Sequence, residues 1–357
     1  MDRARLLPTA VVGSYSMPGW LERVKNDYLQ RRISRHDLDE IHDMAVKAAI
    51  KDQEVAGVDV VSDGELRRDN MIDYFAIRLP GVQIDHASKR YYYDFYDSVV
   101  RSRMPTASLG LVEDFRFLRR FTDRRAKFSV TGPHSLVKRI RNEHYPSEEA
   151  YLVAIAEAMR YEYETITKAG ITLQIDCPDL GMGRHIQHAD LTLAEWRKKA
   201  ELHVEALNHA LANVPPEQVR MHLCWGNYEG PHHCDVALAD VIDIVFKARP
   251  CAVALEAANP RHAHEWTLFE TVKLPDGKVL IPGVIESKSN FIEHPMLVAQ
   301  RIARYARLVG RENVMAGSDC GFGTWVGQSA VDPDVVWAKM TAMAEGARIA
   351  SRRFWKS

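Results

Sequence analysis

Cysteine is scarce in this chain: five residues (Cys177, Cys224, Cys234, Cys251 and Cys320) among 357. The count is odd and the residues are scattered, which argues against a disulfide framework and leaves metal binding or thiol chemistry as their use. Long apolar runs are missing too. Nothing approaches the ~18 uninterrupted apolar residues of a membrane-spanning helix, and the opening MDRARLLPTAVVGS holds too short an apolar run for a secretory signal. The expected setting is the cytoplasm, with no membrane partner. Charge of one sign is lacking: the formal net charge is −1 and there is no long basic or acidic block. That excludes general nucleic-acid binding as an expectation. No G-x-G-x-x-G follows the first strand-like segment, which counts against a dinucleotide fold.

What is present is an ordinary globular composition, 46% apolar and 27% charged, with ample material for a core. Short β-rich runs alternate with longer amphipathic ones. Strand-like segments fall at 9–14, 57–65, 127–133, 171–181, 219–227, 252–259, 278–289 and 313–321. Helical patterns cover 36–56 with a Gly57 stop, the stretch from Ser147 to Gly170, 193–213, 236–247, 294–309 and 334–351. Eight βα units predict a parallel sheet closed as a (β/α)8 TIM barrel, one domain over 1–357, with an open doubly wound sheet as the alternative. Residues 85–126, with KRYYYDFYDSVVRSRMP inside, break the rhythm. This tyrosine-rich excursion is expected to be a lid, a cap, an oligomer contact or a small hairpin on the barrel.

Chemistry in a barrel sits at the carboxyl ends of the strands. Those exits carry Gly13-Ser14, Asp63-Gly64-Glu65, Asp176-Cys177-Pro178-Asp179, His222 with Cys224, Glu256, Glu286 with Lys288, and Asp319-Cys320. His222 and Cys224, at i and i+2 of one strand, point the same way. Two sulfurs, an imidazole and a carboxylate from His222, Cys224, Glu256 and Cys320 suit tetrahedral Zn²⁺. Drawn from three different strands, the set fits a catalytic site better than a structural knuckle. Plain packing of a buried Cys near a His is the competing reading. HHC at 232–234 is a competing metal candidate but reads mainly as a loop entering a helix, and His262 and His264 are expected as solvated loop residues near enough to Glu256 to shape the rim.

The strings VVGSYSMPGW, GVDVVSDGELRRDNMIDYF, VTGPHSL, LQIDCPDLG, MHLCWGN, ALEAANPR, GVIESKS and GSDCGFGT occur here in that order. Together they resemble cobalamin-independent methionine synthase and its smaller, single-barrel relatives, over about residues 9 to 327. The resemblance implies one TIM barrel matching the catalytic barrel of the full-length synthase. It places the family's zinc ligands on His222, Cys224, Glu256 and Cys320. It places the amino-acid carboxylate contact on Ser14 and the holders of the amino group on Glu65 and Asp176. Asn70, Met71, Asp73 and Tyr74 match a further substrate-binding segment, with Asp69 and Asn70 in swapped order. The implied reaction is alkylation of a thiol, homocysteine foremost, which zinc turns into a thiolate, with Glu256 loosening as the substrate sulfur arrives.

The pattern departs from the synthase in places. Lys288 stands where the synthase has the histidine that protonates the leaving group, and can donate a proton or bind an anion. Arg139 matches the tryptophan that stacks on folate, and the second barrel is absent. The donor is therefore left open among folate, a corrinoid protein and an epoxide. Epoxyalkane:coenzyme M transferase-like chemistry is the rival, for which Arg67, Arg68 and Arg184 are candidate sulfonate holders. A non-catalytic thiol-binding barrel is a third reading. Self-association is left open.

Overall fold

The computed structural model describes residues 7–85, 97–323 and 331–355. Its strands, in chain order, are β1 (Val60–Val61), β2 (Val82–Asp85), β3 (Asp97–Val100), β4 (Arg125–Thr131), β5 (Arg141–Asn142), β6 (Thr172–Cys177), β7 (Val219–Leu223), β8 (Ala252–Leu255), β9 (Val279–Ile285) and β10 (Gly317–Ser318). Seven of them form one sheet in the order β1-β4-β6-β7-β8-β9-β10, all neighbours parallel. The order follows the chain without reversing, unlike the doubly wound alternative, whose order turns back at a switch point. The sheet curls until both edges reach one segment. Thr9 bridges Ala316 beside β10, and Ala10 bridges Val60 on β1. The result is an α/β fold of TIM-barrel-like form.

Local chemistry explains the elements. Ser34 and Asp37 form a reciprocal capping box at the start of helix Arg35–Ala56, and Gly57 ends it at φ 89°. Ser147 caps helix Glu148–Lys168 through the Ala150 amide, and Thr192 with Glu195 boxes helix Leu193–Ala210. Strands β4, β6 and β9 are buried almost throughout, as expected of parallel strands covered by helices. The barrel interior is partly polar. Lys127, fully buried on β4, donates to the Val12 carbonyl (2.5 Å) and to Gln174 Oε1 (3.0 Å). Burial lowers its pKa to about 8, against the pull of Asp176 and Glu65.

The structure differs from the sequence reading in four places, the first being the expected strand at 57–65, of which only Val60–Val61 pairs. The expected strand at 9–14 is reduced to bridges at Thr9 and Ala10, and the expected strand at 313–321 to β10. In the 9–14 segment, side chains take the place of ladder partners: the Val12 amide donates to Ser318 Oγ and its carbonyl accepts from Lys127 Nζ. In the 313–321 segment, Asp319 accepts the amides of the loop after β8. The helix expected over 236–247 is a 3₁₀ turn, Leu238–Asp240, followed by a single helical turn, Ile242–Val245. The 85–126 excursion contributes β3 to a small second sheet, β2-β3-β5, in which β2 and β3 are antiparallel. Helix Val112–Arg120 follows. The tyrosine-rich tip, 86–96, lies outside the described residues.

Candidate active site

The exits of the parallel strands surround a cavity of about 150 Å³. Ser14, Glu65, Asp176, His222, Cys224 and Cys320 all line it, from five different strand ends. In parallel strands the ladder register sets which residues meet, and Asp176 on β6 pairs with His222 on β7. Asp176 Oδ1 lies 3.3 Å from His222 Nδ1 and accepts from Gln174 Nε2 at 3.0 Å.

The donor atoms of His222, Cys224 and Cys320 lie within 4.8 Å of one another, and all three residues are buried. The two sulfurs are 3.6 Å apart and unbonded. Two Zn–S bonds of about 2.3 Å at a tetrahedral angle set sulfurs about 3.8 Å apart, so the pair is spaced for a shared cation. Electrostatics agree. The Cys224 thiol, donating to Cys320, and then His222 draw Cys320 down to about 6, against burial. Burial lowers the His222 imidazolium, but hydrogen bonds to Asp176 and Cys320 outweigh it and push His222 up to about 10.

Glu256 does not join that trio. Its Oε1 accepts the Trp225 amide (3.0 Å), and its Oε2 accepts Asn259 Nδ2 (2.8 Å) and Arg261 Nη2 (2.9 Å). Asp319, next to Cys320, holds this loop in place. It accepts the backbone amides of Ala257, Ala258 and Asn259 at 2.7–2.8 Å. Asp319 was visible in the sequence as a strand-exit carboxylate, but nothing in its own neighbourhood marked it as the clamp between the β8 and β10 exits.

Glu65 faces the cavity from a left-handed backbone, φ 58°, directly after Gly64 at φ 67°. A non-glycine residue held there is strained, as is common at functional sites. Gly13 makes room: a Cβ there would collide with Glu65 Oε1. Burial raises Glu65 to about 7, opposed by Arg68, whose Nη1 is 3.4 Å away, and helped by Asp176. Ser14 sits against Gly321, where a Cβ would strike its hydroxyl.

Asn70 lies outside the cavity lining. Its Oδ1 accepts the amides of Ile72 (2.8 Å) and Asp73 (2.7 Å), and its amide donates to Asp73 (2.9 Å). Its neighbours Met71 and Ile72 line the cavity instead. Lys288 is half-buried; burial lowers its pKa, while Cys320, Glu229, Glu286 and Cys224 oppose that. The candidate sulfonate holders are committed elsewhere: Arg68 to Glu65, Arg67 to Asp43 and Asp114, Arg184 to the His188 carbonyl. Arg139 pairs with Asp73 at 2.5 Å. The residues His232, His233 and Cys234 form no three-donor cluster among the described residues. His232 points to Asp235 (2.9 Å) and Cys234 is exposed. His262, buried rather than on the rim, bridges Asp235 and Glu265 and stacks on Trp225. Tyr228 and Met182, which sequence reasoning did not single out, complete the lining.

Known proteins resemble this chain in sequence and in fold. The sequence profile of the family described as "Cobalamin-independent synthase, Catalytic domain" matches residues 7–345. Methionine synthase of Saccharolobus islandicus is 30% identical, the match covering 98% of this chain and 96% of the relative. Methionine synthase of Sulfurisphaera tokodaii is 29% identical, covering 98% and 94%. Among solved structures, a B12-independent methionine synthase from a Shewanella species, in complex with selenomethionine, superposes with a TM-score of 0.76 at 21% identity, covering 98% of this chain and 99% of that one. A Listeria monocytogenes structure described as a B12-independent methionine synthase gives 0.73 at 19% identity, covering 97% and 96%. Sequence profile, full-length relatives and fold converge: the chain belongs to the catalytic-domain family of cobalamin-independent methionine synthases, and is a methyltransferase.

Proposed function

We propose that this protein is a zinc-dependent S-methyltransferase that converts homocysteine to methionine, working as a single closed (β/α)8 barrel. The observation that carries the choice of thiol is the charge of the cavity. Glu65 and Asp176 line it beside the sulfur pair, and among the described residues no arginine or lysine does. Carboxylate oxygens accept hydrogen bonds from an α-ammonium group and offer a sulfonate no donor. The family's Saccharolobus and Sulfurisphaera members are methionine synthases, and the Shewanella protein was solved with a methionine analogue, which supports the same substrate class.

His222, Cys224 and Cys320 would hold the metal, with Glu256 as fourth donor once its carboxylate turns from Trp225 and Asn259. Zinc in such a site lowers the pKa of a ligating thiol so that it is a nucleophile near neutral pH. The chain's own residues do the rest. Glu65 and Asp176 orient the amino group, and Ser14 meets the substrate carboxylate. Asp176 also fixes the His222 ring through Nδ1, leaving Nε2 turned toward the sulfurs. Lys288, half-buried outside the cavity lining but within electrostatic reach of Cys320 and Cys224, loses its proton more readily than an exposed lysine and is assigned to protonate the leaving group. The free cysteines fit a reducing, cytoplasmic setting.

The test is thiol consumption by zinc-loaded protein. Homocysteine and coenzyme M are each offered methyltetrahydrofolate, a methylated corrinoid protein, or epoxypropane. Homocysteine loss with a methyl donor, abolished in Cys320→Ser, is the expected result and also names the donor. Loss of coenzyme M with epoxypropane alone would overturn the assignment.

A further inference from the structure

A second cluster of metal-binding side chains lies behind the cavity wall. It is built from His134 at the start of helix Pro133–Arg139, His188 after the short turn Gly183–Ile186, and His203 in the middle of helix Leu193–Ala210. The three are 3%, 6% and 7% exposed. One ring nitrogen from each lies within 4.8 Å of the other two. Asp179, itself 3% exposed, stands beside them, with Oδ2 at 3.1 Å from His203 Nδ1 and 3.7 Å from His134 Nδ1. The rings of His134 and His203 lie face to face at 3.4 Å.

The polar atoms at this spot are not satisfied. Both nitrogens of His134, Nε2 of His188 and Oδ1 of Asp179 have no hydrogen-bond partner among the described residues, and His203 Nδ1 faces only the Asp179 carboxylate, at 3.1 Å. A buried unpaired polar atom costs about 1–3 kcal/mol, and four at one place would be hard to sustain where apolar side chains could pack. Orphaned imidazole nitrogens are lone pairs or donors, here gathered within 4.8 Å of one another. A cation satisfies several at once, and a carboxylate behind metal-bound histidines is the usual orienting partner. Three imidazoles without sulfur suit Zn²⁺, Co²⁺ or Ni²⁺ and not Ca²⁺ or Mg²⁺, which take oxygen donors.

We propose that His134, His188 and His203 form a second, all-imidazole site for a divalent transition metal, with Asp179 orienting the rings. The stacked rings of His134 and His203 turn about their Cβ–Cγ bonds as the ion enters, presenting in-plane nitrogens. Asp179 lies between Pro178 and Met182, both of which line the substrate cavity. An ion here braces that wall, tying the β4 and β6 exits to helix Leu193–Ala210. It is structural, takes no part in the chemistry, and does not depend on which thiol the barrel accepts.

Cobalt distinguishes the two sites, because a thiolate site adds a strong near-ultraviolet sulfur-to-cobalt band and an imidazole site gives visible bands alone. Metal-stripped protein dialysed against Co²⁺ should take up about two ions per chain. A Cys224→Ser, Cys320→Ser double variant should keep about one, with visible bands and no thiolate band. His203→Gln should keep the thiolate band and lose the other ion. Should His203→Gln not fold, His188→Gln, at the end of a surface turn, serves the same purpose. Wild-type uptake of one ion, wholly thiolate in character, or undiminished uptake by the histidine variants, would overturn the proposal. A rise in Tm when Zn²⁺ is added to the double-cysteine variant, absent once His188 is also replaced, would support the bracing role.

Discussion

Glu65 shows how much one residue's surroundings decide. Its backbone is held at positive φ, its side chain is buried, and a neighbouring carboxylate shares the cavity. In the folded protein it titrates near 7 instead of 4.5, chiefly through burial. The folded chain therefore holds this proton where the unfolded chain has released it, so Glu65's contribution to stability falls as pH rises from about 4.5 to 7. Glu65→Gln should flatten that slope, measured by urea unfolding at acid and slightly alkaline pH. The same shift bears on binding. An arriving ammonium group favours the carboxylate, so homocysteine binding below pH 7 should release a proton. Calorimetry in buffers of different ionisation heat should show that release in wild type and its loss in Glu65→Gln.

Elements here are set by their ends and by close approach. Helix Pro295–Val309 packs on helix Pro333–Phe354, and Gly346 sits at the crossing. A Cβ there would overlap the Val298 side chain and crowd the Pro295 carbonyl. Helix propensity alone predicts that Gly346→Ala stabilises by about 1 kcal/mol. Overpacking at a helix crossing costs about 1–3 kcal/mol and should win. Thermal unfolding of the variant should give a lower Tm than wild type. The major helices were legible from the sequence because their signals are local: the apolar spacing of Leu38, Ile41, Ala45 and Ala49, the start at Ser147, and the stops at Gly57 and Gly170. The 236–247 segment was misjudged because its apolar residues suit a helix, while Leu238 N donates instead to Glu265, 27 positions away. No local pattern reports such a partner.

For the whole molecule, closure rests on a narrow seam. Thr9 and Asp59 bond reciprocally: the Thr9 amide and hydroxyl donate to Asp59 Oδ2, both at 2.9 Å, and the Asp59 amide donates to Thr9 Oγ1 at 3.0 Å. Thr9→Val removes the hydroxyl from this clip and should cost about 1–3 kcal/mol. Hydrogen exchange should quicken first at Ala10, Val60 and Ala316, the amides that span the seam. No helix among the described residues is long and apolar enough to cross a membrane.

The alternation of strands and helices, the absence of a dinucleotide fingerprint, and the strand-exit positions of Ser14, Glu65, Asp176, His222, Cys224 and Cys320 were all written in the linear chain. They follow from periodicity and from residue chemistry, both readable within a few positions. Four things waited for the folded form. Glu256 is drawn toward Asn259 and Arg261, Asp319 ties two exits together, and Asn70 serves its own turn in place of the cavity. His134, His188 and Asp179 meet His203 only because two strand exits and a helix come together around them. Side chains far apart along the chain share an environment only once the sheet has curled, and burial, which moves their pKa values and removes their water, exists in the packed molecule alone.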